Sequence, residues 1–157
     1  MGEQPSIIGS QPLLRKLPVS YIERLAALAH HISLPAGYRL FDEGTTADRF
    51  WLIDAGQVTL DAMVPGDGRV IIETLGRGDL VGLSWLEPPY QFRYGAVTTQ
   101  PMQAFEFSAS AVRALCDSDS ALGYALLHRF LAVAAHRLQV TRARLLESRS
   151  SAAASRA

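Results

Sequence analysis

Hydrophobic positions change their period twice along the chain. Residues 1–18 are broken by prolines and glycines and keep no sustained period, so they read as an N-terminal extension. Over 19–32, Ile22, Leu25, Leu28 and Ala29 fall at helical spacing behind Ser20, whose hydroxyl suits an N-cap; this predicts a short amphipathic helix. Residues 34–107 switch to short β-rich runs at 38–41, 50–53, 57–62, 70–75, 95–99 and 103–107. Gly44, Gly56, Gly66, Gly68, Gly76 and Gly78 fall between the runs, the pattern of an antiparallel sandwich, barrel or roll.

Past Ser108 the helical period returns, first over 110–115 and then from about Ser120 to Leu146, with no proline and with Gly123 as the weak point. Along this stretch Leu127, Leu131, Ala134, Leu138, Thr141 and Leu145 step by four and three. Two readings stay open. The seam is a coiled contact with a second copy, making Leu127, Leu131, Ala134, Leu138 and Leu145 a dimer interface, or it is one helix packed on its own β domain. Residues 147–157 are low in complexity and read as a disordered tail. The pattern gives an α+β chain with an antiparallel sandwich, barrel or roll.

Composition narrows the function. A chain of 157 residues, 48% hydrophobic and 19% charged, makes one domain with a core. Fifteen basic residues balance fifteen acidic ones, which argues against a protein that coats nucleic acid electrostatically. The balance is uneven, since residues 129–157 hold six arginines against Glu147 alone. Arg137, Arg142, Arg144 and Arg149 near a helix C-terminus offset the helix dipole; contact with nucleic acid or an acidic partner is the alternative. The single Cys116 forms no internal disulfide, and together with the missing secretory signal it points to a reducing cytoplasm. No apolar run reaches the ~18 residues of a membrane span. The string Met1-Gly2-Glu3-Gln4-Pro5-Ser6 fits a myristoylation pattern, but no basic cluster follows to supply a second membrane signal.

Catalytic and metal motifs are missing. Gly76-Arg77-Gly78-Asp79-Leu80-Val81-Gly82 has the wrong glycine spacing for a dinucleotide fingerprint and no βαβ unit around it. His30 and His31 are adjacent and His128 and His136 are eight apart, so neither pair grips a metal from one helix face. Cys116 has no basic neighbour to activate it. Asp42 and Glu43 point to opposite sides of an extended chain and make no carboxylate pair. No catalytic residue, metal or cofactor is expected.

What remains is an ordered set: Phe41-x-x-Gly44, Phe50-Trp51-Leu52-Ile53-x-x-Gly56-x-Val58, Gly68-Arg69, and Leu75-Gly76-x-Gly78-Asp79-x-x-Gly82. Over residues 20–146 it resembles the cyclic nucleotide-binding domain of the Crp/Fnr superfamily of bacterial regulators. The narrower fold implied by this likeness is an antiparallel β-roll (double-stranded β-helix, jelly-roll-like) over 19–146, with a short N-terminal helix and a long C-terminal dimerisation helix over 120–146. The resemblance implies that Gly82 opens a short helix facing a cyclic phosphate, that Arg93, eleven residues on, pairs with that phosphate, and that the long helix caps the ligand near Arg137 and Thr141. It thereby nominates Gly82, Leu83, Ser84, Trp85, Arg93, Tyr94 and Thr141 as ligand-binding, with a cyclic nucleotide or another small anion as ligand; for Thr141 a weakly packed seam position is the equal alternative.

Two positions depart from the family pattern. Leu83 stands where nucleotide binders place a Glu that accepts from the ribose 2'-hydroxyl, and an unmet buried hydroxyl costs on the order of 1 to 3 kcal/mol. Tyr94 stands where a Ser or Thr usually follows the Arg. With Trp85, Tyr90 and Phe92 it makes the segment between Gly82 and Tyr94 strongly aromatic, either the wall of a pocket shaped for a flatter or more apolar ligand or a plug that fills it. Family regulators continue into a helix-turn-helix domain, where this sequence has a Ser/Ala/Arg tail. The expectation is a stand-alone sensor, homodimeric, signalling to an unidentified protein partner and contacting neither membrane nor nucleic acid. The alternative is a degenerate domain that binds no nucleotide and serves as an interaction or structural module.

Overall fold

A computed structural model describes residues 3–157, so the first two residues of the lipidation string lie outside the described residues. The chain runs α1 (Glu3–Gly9), α2 (Val19–Ala26), β1 (Ala29–Leu34), β2 (Arg39–Phe41), β3 (Arg49–Ala55), β4 (Val58–Val64), β5 (Gly68–Leu75), β6 (Leu80–Val81), a single 3-10 turn (Ser84–Leu86), β7 (Gly95–Thr98), β8 (Met102–Ser108), α3 (Ala109–Ser118) and α4 (Ser120–Ala154). The strands form two antiparallel four-stranded sheets, ordered β1-β8-β3-β6 and β2-β7-β4-β5. This is the expected β-roll between a short N-terminal helix and a long C-terminal one.

The layers explain the burial. In β3, Phe50 meets Phe130 of α4 edge-on and stacks on Phe107 of β8, while its neighbour Trp51 stacks with Phe41 of the other sheet. Successive side chains leave a strand on opposite faces, and both faces are covered here, so Phe50, Trp51, Leu52 and Ile53 are all buried. Gly56 takes φ +96°, and a Cβ there would lie 2.8 Å from the Met102 Cα, so the β3–β4 turn passes β8 only as glycine.

Five features differ from the sequence reading. Residues 29–34 are a strand that pairs with β8 from Ala29↔Phe107 to Leu34↔Met102, and α2 ends at Ala26. Ser20 does not cap α2; the N-cap position is Pro18, with no side-chain hydrogen bond. The N-terminal segment is part of the core: Ile8, Leu13, Leu14 and Leu17 are buried, and Arg129 of α4 donates to the Leu13 and Arg15 carbonyls. Residues 147–154 continue α4 to Ala154 rather than forming a disordered tail, because serine and alanine without glycine or proline propagate a helix already nucleated. Gly123 is no weak point, since a Cβ there would meet the Cys116 carbonyl at 2.9 Å; glycine lets α4 close against α3.

Candidate functional site

The candidate site starts where β6 ends. Gly82 takes φ +96°, a left-handed conformation that side chains resist, and turns the chain into the 3-10 turn, closed by Leu86 N donating to the Leu83 carbonyl at 3.2 Å. The strand-like return holds to the 42–47 loop: Ala47 N donates to the Tyr90 carbonyl at 2.7 Å, Phe92 N to Thr45 at 2.8 Å, and Gly44 N to Phe92 at 2.7 Å. Arg113 of α3 fixes the outer side of this segment. Its guanidinium donates to the Trp85 carbonyl at 2.7 Å and lies 4.4 Å from the centroid of the Tyr90 ring.

Between this segment, β4–β5 and α4 lies a cavity of about 490 Å³. Gly82, Leu83, Ser84, Arg93, Tyr94 and Thr141 line it, so six of the seven predicted ligand residues come together. Trp85 does not join them. It is 2% exposed, stacks on Phe50 at 4.6 Å and meets Phe130 edge-on, because the 3-10 turn points it away from the cavity and into the core. The aromatic segment is thus divided: Trp85 and Phe92 pack, with Phe92 stacked on Phe41 at 3.6 Å, while Tyr94 is an exposed wall. The aromatics do not plug the cavity.

Four charged side chains line the cavity, Arg93 and Arg137 against Glu73 and Glu87. Arg93 is exposed and makes no hydrogen bond or ion pair among the described residues. Arg137, not among the nominated ligand residues, reaches in from α4, half-buried, and donates to the Leu80 carbonyl. Burial holds its guanidinium below the ordinary arginine value, more than the nearby Glu73 and Asp79 offset. Arg137 therefore lines the cavity from the middle of α4, well short of the helix C-terminus at Ala154. The clue in the sequence is its spacing to Thr141, one turn on, whose hydroxyl donates to the Arg137 carbonyl at 2.8 Å and which also faces the cavity. Glu73 and Glu87 line the cavity without an ion pair to either arginine among the described residues.

The heptad seam does not pack on its own roll. Leu122, Leu126 and Phe130 on one face of α4 are buried, whereas Leu127, Leu131, Ala134, Leu138 and Leu145 are exposed. Part of this face, with Tyr124 and His128, borders an apolar groove of about 610 Å³ that shares Leu83 and Glu87 with the cavity. Burial and the adjacent Asp117 push the Cys116 thiol up, away from reactivity. Among the described residues no group of three or more His, Cys, Asp and Glu is placed to hold a metal, and no helix is long and apolar enough to cross a membrane.

Comparison with known proteins bears on this geometry. The model of the cyclic nucleotide-binding domain family matches residues 31–119. Among solved structures, the chain is similar to a putative cyclic nucleotide-binding protein from Geobacter metallireducens, with TM-score 0.77 and 23% identity over 85% of this chain and 97% of that one. A cyclic nucleotide-binding domain from Methylobacillus flagellatus gives TM-score 0.80 at 22% identity, covering 93% and 82%. The catabolite activator protein of Thermus thermophilus gives TM-score 0.70 at 21% identity, and there the alignment covers 85% of this chain and 61% of that one. At these identities the likeness shows the fold. No curated protein shows significant sequence similarity to the chain.

Proposed function

Because the chain belongs to the cyclic nucleotide-binding domain family, whose model covers more than half of it, we propose that it is a regulatory sensor module that binds a small anion between the roll and α4 and relays occupancy to a protein partner. The observation that carries this reading is an open cavity of about 490 Å³, within the size range of small-molecule sites, into which Arg93 presents a guanidinium with no described partner. Guanidinium forks match phosphate and carboxylate oxygens, and Ser84 offers a hydroxyl beside Gly82. A cyclic nucleotide is the first ligand to try. Leu83, apolar and lining the cavity, favours the second reading, a domain that keeps the fold as an interaction module without a nucleotide.

The mechanism follows from shared walls. A ligand that contacts Arg137 or Thr141 bridges the roll to α4, so binding biases the position of that helix by its differential contacts. The exposed seam from Leu127 to Leu145 is proposed to pair with a second copy of the chain, in a cytoplasmic setting. A thermal unfolding scan with cyclic AMP, cyclic GMP, related nucleotides and simple anions, on the wild type and Arg93→Ala, tests the reading. Ligand at a hundred times its Kd adds about 2.7 kcal/mol, several degrees in a domain of this size. A shift that vanishes in Arg93→Ala supports the sensor; no shift with any anion favours the interaction module.

A further inference from the structure

The arginines of the fold stand in three settings: paired with carboxylates, held by carbonyls, or, like the exposed Arg77, Arg142, Arg144, Arg149 and Arg156, without a described partner. Arg24, Arg39, Arg49 and Arg69 each reach a carboxylate within 4.0 Å, and Arg113 and Arg129 are held by carbonyls. Arg93 has no described partner, and Arg137, half-buried, has one neutral carbonyl and no carboxylate within ion-pair distance. A cation taken partly out of water without a counter-charge is unfavourable until an anion arrives. Arg137 is the partly desolvated one, with Glu73 and Asp79 nearby but outside ion-pair distance, and the exposed Arg93 opens onto the same cavity from the approach to β7.

Resting on the anion-sensor reading above, we propose that the preferred ligand is a small dianion, its two charges neutralised by Arg93 and Arg137, rather than a cyclic phosphodiester with a single charge. Phosphate monoesters and short dicarboxylates share this chemistry. Glu73 and Glu87, lining the same cavity, set the upper limit, since their carboxylates repel a ligand that carries charge beyond what the two guanidiniums absorb. Leu83, Ile72 and Tyr94 add apolar wall for a carbon body between or beside the charged groups.

Calorimetric titration of the full chain with two matched probe pairs tests this, at about pH 8, where a phosphate monoester carries its second charge. The pairs are adenosine 5'-monophosphate against cyclic AMP, and glutarate against its monomethyl ester. The expected result is that at least one dianion binds about tenfold or more tighter than its singly charged partner, the size of one added charge-assisted contact. Arg137→Gln, which keeps a donor for the Leu80 carbonyl, erases that gap, and Arg137→Lys keeps part of it. Preference for the nucleotide monophosphate alone identifies a phosphate monoester, and for glutarate alone a dicarboxylate. Cyclic AMP binding more tightly than the monophosphate, dependent on Arg93 and indifferent to Arg137→Gln, overturns the dianion and leaves the sensor standing. A dianion gap that survives Arg137→Gln also overturns it, and failure of all four probes to bind overturns both readings.

Discussion

Two clusters of arginine on the same roll meet opposite fates. On the sheet of β2, β7, β4 and β5, Asp61 is 2% exposed and accepts from Arg39 at 2.6 Å and from Arg69 at 3.1 Å. The Arg39 bond, helped by Arg69 and opposed by burial, holds the Asp61 carboxyl below the usual carboxylate range, and the same bond raises Arg39. In the cavity, Arg93 and Arg137 have no carboxylate within ion-pair distance. The first cluster is complete without a ligand and belongs to stability. The second lacks a carboxylate at ion-pair distance, which is the place the proposed anion would take.

Removing the completed cluster has the largest effect. Asp61→Ala takes the buried carboxylate from Arg39, which is left with the exposed Asp42 at 3.5 Å, and from the half-exposed Arg69; breaking a buried pair costs roughly 3 kcal/mol, expected as a fall of about ten degrees in the thermal midpoint. The same carboxylate sets a pH dependence. A folded pKa below the unfolded one contributes stability that is present above the unfolded value and lost as pH falls through the folded one, so stability drops below about pH 4. Asp61→Asn flattens that slope in acid unfolding followed by circular dichroism. Next in size is Gly95→Ala, because a Cβ there would overlap both Arg39 Nη1 and Asp61 Oδ1. Pushing the pair apart costs about 1 to 3 kcal/mol by chemical denaturation, and a neutral result breaks the view that glycine is required beside the ion pair. The smallest effect sharpens the contrast: ligand-free Arg93→Ala shifts stability by less than about 0.5 kcal/mol, the range of surface changes away from such features. A large loss would place Arg93 with the structural cluster instead.

Much of the roll was legible because its turns are written in glycine and its strands lie between them. The match is weakest where tertiary contacts override local pattern. Ala29 and Ile32 keep a helical step from Leu25 and Leu28, yet pairing with the β8 backbone makes 29–34 a strand. The N-terminal segment shows no period because irregular chain buries it, anchored by Arg129 from more than a hundred residues away in sequence. In the site, the family resemblance locates the cavity, because Gly82 and Arg93 match its motif and both line the cavity. Trp85 is nominated with the rest of the segment after Gly82, and only the sense of the 3-10 turn sends it inward while Ser84 faces the cavity. Arg137 lies in a segment whose arginines also suit a helix terminus, and its direction depends on how α4 crosses the roll.

Trp85 carries a practical consequence. Its indole sits in a dry stack of phenylalanines, and its Nε1 meets no acceptor among the described residues, while the adjacent Ser84 faces the cavity and Arg113 grips the Trp85 carbonyl. The other tryptophan, Trp51, donates its Nε1 to Glu106 at 2.9 Å. The native chain therefore contains two tryptophans in unlike surroundings, one coupled through a single peptide to the cavity and the other tied to a carboxylate across the β3–β8 ladder. Under the proposed function, a Trp51→Phe variant leaves Trp85 as the tryptophan whose emission is expected to change when the cavity is filled.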